Sequence, residues 1–114
     1  MPKYLALYKT TVSSEELMAN STPEQMEAAM QAWMEWSQRC GDGLVDMGSP
    51  LGGGKKVTAD GATDGGAHIG GFSVLQAASV DDATALVKDH PHFMSPGEPS
   101  ILVLEYLPIP GMEG

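Results

Sequence analysis

Three histidines, His68, His90 and His92, and one aspartate, Asp46, are the residues best suited to chemistry in this chain. An imidazole titrates near neutral pH, and a carboxylate bonded to one ring nitrogen would orient it and raise its pKa. That chemistry is general acid–base catalysis, with His68, Asp46 and His92 as the catalytic group. Other chemistries fit less well. His90-Pro91-His92 is not the i, i+4 helical pair of a zinc site, and the histidine spacing matches no standard ligand set, so no metal is expected. Ser49 and Ser95 lack the strained strand-to-helix setting of a nucleophile. Gly52-Gly53-Gly54 lacks the Lys-Ser/Thr ending and following helix of a phosphate loop. Nothing resembles a nucleotide fingerprint, so no cofactor is expected.

Composition narrows the partners. The chain has 114 residues and a formal net charge of −9, from 15 acids and 6 bases. Phosphate contacts need clustered Lys and Arg, and Lys55-Lys56 is the one adjacent basic pair, so nucleic acid is not a partner. An anionic membrane surface is disfavoured on the same ground. No apolar run reaches membrane-span length, and the N-terminus lacks a charged-then-apolar leader. The single cysteine, Cys40, excludes an internal disulfide and fits a reducing compartment. The expectation is one cytoplasmic domain spanning 1–114.

The elements that must position these residues follow from pattern. Lys3–Tyr8 reads as a strand with Tyr4, Ala6 and Tyr8 on one face and Leu5 and Leu7 on the other. Ser13 with Glu16 caps a short helical turn near 14–19. Thr22, Pro23 and Gln25 form a capping box for a long helix, which runs to Gly41. Met26, Met30, Trp33 and Ser37 make its stripe, joined by Ala29, Trp36 and Cys40. Gly43–Gly48 is a second strand. Lys55–Ala59 is a short strand in a hairpin excursion, with turns at Asp60-Gly61 and Asp64-Gly65-Gly66. His68–Ala77 is the third main strand; Gly70 and Gly71 mark a close approach of backbone or ligand. Ser79 caps a helix that Pro91 ends, and Ile101–Leu107 is the last strand.

Strand, helix, strand, strand, helix, strand is the ferredoxin-like βαββαβ order, an α+β fold. Right-handed crossovers put the first and third main strands in the middle of an antiparallel sheet, with the helices on one face. Both faces are substantially apolar, so the bare one implies a partner, most simply a second copy joined sheet to sheet. Strand directions gather Tyr8, Lys9, Ser49, Pro50, His68, His90, His92 and Ser100 at one end, the top. Cys40 falls at the other end. A small apolar ring could sit between Tyr8, Trp33 and Phe72, with Ser49, Pro50 and His90 at the rim. The same residues also read as structure: Trp33 and Trp36 as core, and the histidines as hydrogen-bonded loop and strand-entry residues.

Met47-Gly48-Ser49-Pro50-Leu51, then Gly70-Gly71-Phe72-Ser73-Val74, then Asp89-His90-Pro91-His92, and last Ile101–Pro108 together resemble the YCII-related (DGPF) family. The resemblance covers nearly the whole chain and rests on the order of the segments rather than on one motif. It implies a dimeric α/β barrel with clefts at its ends, and lyase- or isomerase-like activity on small cyclic or aromatic compounds. A non-catalytic ligand-binding or regulatory dimer is the alternative. Relatives pair an Asp with a His on the first long helix. This chain has no His between Thr22 and Cys40; its carboxylate could be Asp46 or, less well placed, Asp42, and the His partner must come from His68, His90 or His92.

Overall fold

The structure, a computed structural model, describes residues 1–111. The elements run β1 (Lys3–Lys9), α1 (Ser14–Asn20), α2 (Pro23–Cys40), β2 (Leu44–Pro50), β3 (Gly54–Thr58), β4 (Gly61–Gly65), β5 (Ile69–Gln76), α3 (Val80–Val87) and β6 (Ser100–Glu105), with short 3-10 turns at Gly41–Gly43 and Pro91–Met94. Four strands form one antiparallel sheet in the order β2-β5-β1-β6, with β1 and β5 central. The α+β reading and the ferredoxin-like strand order therefore hold for the single chain.

Alternation along the strands decides the two faces. Tyr4, Ala6 and Tyr8 of β1 and Ser73 and Leu75 of β5 turn toward the helices and are buried. They pack with Trp36 and Cys40 of α2 and Ala83 and Val87 of α3 to form the core. The opposite face carries two cross-strand rows, Phe72–Leu7–Leu102 and Val74–Leu5–Leu104. Leu102 and Leu104 are each 43% exposed. Among the described residues no element covers this face.

Helix α2 begins as its cap dictates. Thr22 accepts the Gln25 N–H and the Gln25 side chain returns a bond to the Thr22 N–H, closing both halves of a capping box. Trp33 is half-buried and Trp36 and Cys40 are buried, while residues 23–31 are all exposed. The helix ends on Gly41 at φ 54°. Among the described residues no helix is long and apolar enough to cross a membrane.

The excursion between β2 and β5 differs from expectation in one respect. Asp64 and Gly65 belong to strand β4 rather than to a turn, because they pair with Lys55 and Gly54 in a two-stranded ribbon. The turn moves on to residues 66–68, where Gly66 takes φ 81°. His68 therefore lies in this turn and not in the strand, which opens at Ile69. At the other end β6 stops at Glu105, two residues short of the expected Leu107. The expected tail, Pro108–Gly114, lies partly outside the described residues.

Candidate functional site

The gathering of residues at the top is real in the backbone. Lys9, the last residue of β1, pairs with Ile69 on one side and Ser100 on the other. The Thr10 N–H donates to the His68 carbonyl at 3.0 Å. His92 Nε2 lies 2.9 Å from the Lys9 carbonyl and 3.1 Å from the Ser100 carbonyl. Two acceptors at one nitrogen require a donor there, so His92 carries its proton on Nε2. Among the described residues Nδ1 has no hydrogen-bond partner. The one side-chain nitrogen that is both sealed from solvent and unpartnered among the described residues is His90 Nε2, so His92 Nδ1 keeps contact with solvent although the residue is only 6% exposed.

His90 is a different kind of histidine. Pro91 sets the start of the 3-10 turn, and His90 caps it: its Nδ1 accepts the His92 N–H at 2.8 Å. The ring centre sits 4.3 Å from Trp33, 4.3 Å from Trp36 and 4.6 Å from Tyr8. With Nδ1 accepting, the proton stands on Nε2, which is buried and has no hydrogen-bond partner among the described residues. Burial first, then the neighbouring His92 and Arg39, lowers the His90 pKa to about 3. His90 is thus neutral at physiological pH and fills the space that an aromatic ligand between Tyr8 and Trp33 would need.

Tyr8 is held from both ends. Its ring meets Trp33 edge-on at 4.9 Å. Its hydroxyl donates to Ser73 Oγ at 2.7 Å, and Ser73 donates onward to the Met47 carbonyl at 2.8 Å. Burial pushes the Tyr8 phenol up to about 12, against the lowering effect of the Ser73 bond. Gly71 stands opposite Tyr8 in the register. A Cβ there would lie 3.4 Å from Tyr8 Cδ2 and 3.1 Å from the Ser49 carbonyl. The glycine thus makes room for the tyrosine ring and for β2 rather than for a ligand.

The proposed pairing of His68 with Asp46 does not form. Asp46 pairs with Val74, while His68 precedes Ile69 at the start of the same strand. Six residues of strand separate those two positions, roughly 20 Å. The Asp46 carboxylate accepts the Gly48 N–H at 2.8 Å and so braces a bulge in β2. Gly48 takes φ 82°, and a Cβ on it would fall 1.7 Å from the Phe72 carbonyl. His68 is exposed.

Phe72 is also misplaced as a partner of Tyr8 and Trp33. It belongs to the even-numbered phase of β5, opposite to buried Gly71, Ser73 and Leu75, and lies on the uncovered face, with the sheet between it and the two helix-side rings. Ser49 and Pro50 are exposed at the end of β2, pairing with Phe72 and Gly71. Two hollows lie elsewhere. One of about 410 Å³ is lined by Gly53, Gly54, Lys55, Asp64, Gly65 and Ala67 at the ribbon. Another of about 140 Å³ lies between α2 and α3, beside Arg39, Cys40 and Asp89. Among the described residues no three of His, Cys, Asp and Glu converge as metal ligands.

The residue that sequence reasoning passed over is Ser73. It alternates in phase with Gly71 and Leu75, and a hydroxyl on a buried phase needs a partner. Tyr8, on the buried phase of the adjacent strand, is the group that could supply it.

The site thus reduces to His92, braced by two carbonyls and by His90, with His68 at the same strand end. No curated protein matches the chain. The model of the YCII-related domain matches residues 3–103, nearly the whole of the described fold, and the chain belongs to the YCII-related family.

Proposed function

We propose that this protein is a cytoplasmic homodimer, closed through the uncovered sheet face into an α/β barrel, that moves a proton on a small cyclic or aromatic compound in the manner of a lyase or isomerase. His92 is the acid–base group. The observation that supports this is the double carbonyl brace on Nε2, which holds the ring, occupies that nitrogen as a donor and leaves Nδ1 as the nitrogen through which the ring can exchange a proton. Orientation of an imidazole by a hydrogen bond to its other nitrogen is the usual arrangement for general base catalysis. His68, on the neighbouring turn and exposed, is the group that returns the proton to water. Asp46 has a structural duty at the β2 bulge, and Tyr8, Trp33 and His90 form the wall behind His92. Ser49 and Pro50 stand at the rim.

The test is deuterium exchange into a panel of small lactones and ring ketones in D2O, followed by NMR. His92→Gln keeps an N–H for the two carbonyls but has no basic nitrogen. Loss of about 100-fold or more in exchange, with an unchanged melting curve, is the expected result. Exchange at the wild-type rate in that variant would remove His92 from the chemistry. A second reading, a ligand-binding dimer without catalysis, is favoured by the neutrality of His90 and by His92 meeting no carboxylate among the described residues. It predicts saturable ring-compound binding with no exchange in either protein.

A further inference from the structure

The chain exposes 7675 Å², whereas a folded monomer of 12.0 kDa exposes about 6,000 Å². Its radius of gyration is 15.5 Å, against about 13 Å for a chain of this length. Some of the excess lies in α2. Trp33 meets Tyr8, the last residue but one of β1, so the part of α2 before Trp33 runs past the end of that strand. Ten residues of helix project there, about 15 Å.

The projecting part keeps the stripe that faces the core farther down. Met26 and Ala29 continue the line of Trp33, Trp36 and Cys40, with Met30 on its flank. Met26 is 47% exposed and Met30 61%. In its lower half this stripe packs on the sheet. In its upper half no sheet lies beneath it. Leu17 and Met18 of α1, itself without a buried residue, add 36% and 48% exposed apolar side chains at the same end.

We infer that the methionine-lined overhang of α2, with Leu17 and Met18 of α1, docks on a second copy of this chain, beyond the sheet-to-sheet contact. The inference rests on the proposed dimer and adds a second surface to it. The uncovered sheet face offers six apolar side chains, Leu102 and Leu104 at 43% exposure and Leu5, Leu7, Phe72 and Val74 less exposed, together roughly 450 Å² of accessible surface. A standard stable interface buries about 800 Å² on each partner. The sheet face alone falls short, and the overhang is the adjacent apolar surface able to make up the difference. Past the strand ends no sheet separates its stripe from a copy stacked on the other side. Methionine suits such a contact, since its flexible side chain fills irregular gaps.

The test is a dilution series of the full chain by sedimentation velocity. The variants are the double substitution Met26→Glu with Met30→Glu, Gln31→Glu as a charge control on the outer side of the helix, and Leu102→Asp on the sheet face. The methionines are exposed and Glu is a strong helix former, so the double variant keeps the fold; circular dichroism checks this. Expected is a wild-type dimer whose dissociation constant rises at least tenfold in the double variant and not in Gln31→Glu. A dimer weakened by Leu102→Asp but not by the double variant would overturn the overhang contact and leave the sheet dimer standing. A wild-type monomer throughout would overturn both. Amide hydrogen exchange over 23–32 gives an independent reading in the wild-type chain: protection that grows with concentration supports the contact, and concentration-independent exchange in a dimer overturns it.

Discussion

His92 donates its backbone N–H to the ring of His90, 2.8 Å away, so the position of the braced imidazole depends on its neighbour staying neutral. A proton added to His90 would enter at Nδ1, the atom that accepts this bond. It would set one N–H against another inside a wall of aromatic rings.

The pH dependence follows. The His90 pKa is lowered from the ordinary 6.5 to about 3, so between those values the unfolded chain binds a proton that the folded chain does not. Stability then falls as pH falls, beginning below about 6.5 and continuing to about 3, with a slope of at most about 1.4 kcal/mol per pH unit. Thermal melts from pH 7 to 4 check this. His90→Asn keeps an acceptor for the His92 N–H but does not titrate. It should start less stable, by about 1–3 kcal/mol for the lost packing, and should lack the His90 part of the slope. An unchanged slope would mean that other groups carry the acid sensitivity.

Tyr8 and Ser73 form an ordered chain ending at the Met47 carbonyl, and its two ends are unequal. Tyr8→Phe removes a donor and leaves Ser73 still bonded to Met47, so the cost should be about 1 kcal/mol. Ser73→Ala strands both the buried Tyr8 hydroxyl and the Met47 carbonyl, and should cost about 2–3 kcal/mol. Urea unfolding of the singles and the double variant would measure the coupling, which should be well above zero for residues in direct contact. Equal costs for the two singles would contradict the direction of donation assigned here.

Two glycines at the top and flank make a paired test of backbone space. Gly48→Ala must push β2 away from the Phe72 carbonyl and hold a non-glycine residue at φ 82°. It should lose roughly 3 kcal/mol or more, or fail to fold. Gly54→Ala meets nothing within 4 Å and needs no left-handed backbone. It should be neutral, or stabilising by about 0.5 kcal/mol through the unfolded chain. Chemical denaturation of both variants checks the contrast.

The scaffold was legible because its signals are local. Thr22 and Gln25 announce the start of α2, Ser79 the start of α3, and strict alternation in β1 assigns Tyr4, Ala6 and Tyr8 to one face. The end of the sheet to which each histidine goes follows from strand direction alone. What escaped is what depends on register and phase. A bulge and the longer reach of β4 move His68 off its strand and leave Asp46 beside Val74. Phe72 shares a segment with Ser73, yet a period of two puts them on opposite faces. The fate of His90 could not be read locally, because its three aromatic neighbours come from β1 and from two successive turns of α2.

The strand order has a consequence in time. β1 takes both of its partners, β5 and β6, from the second half of the chain. A ribosome adding about 5–20 residues per second needs roughly 5–20 s to pass from Lys9 to Ser100. For roughly the first two-thirds of it, until β5 is made, Tyr4, Leu5, Ala6, Leu7 and Tyr8 form an apolar segment with no strand on either side and helix α2 has no sheet to lie on; until β6 is made, one edge of β1 stays bare. The nascent chain is therefore most exposed to aggregation before its last strand emerges. Its strongly negative charge, carried mostly outside β1, keeps neighbouring nascent chains apart while the strand waits.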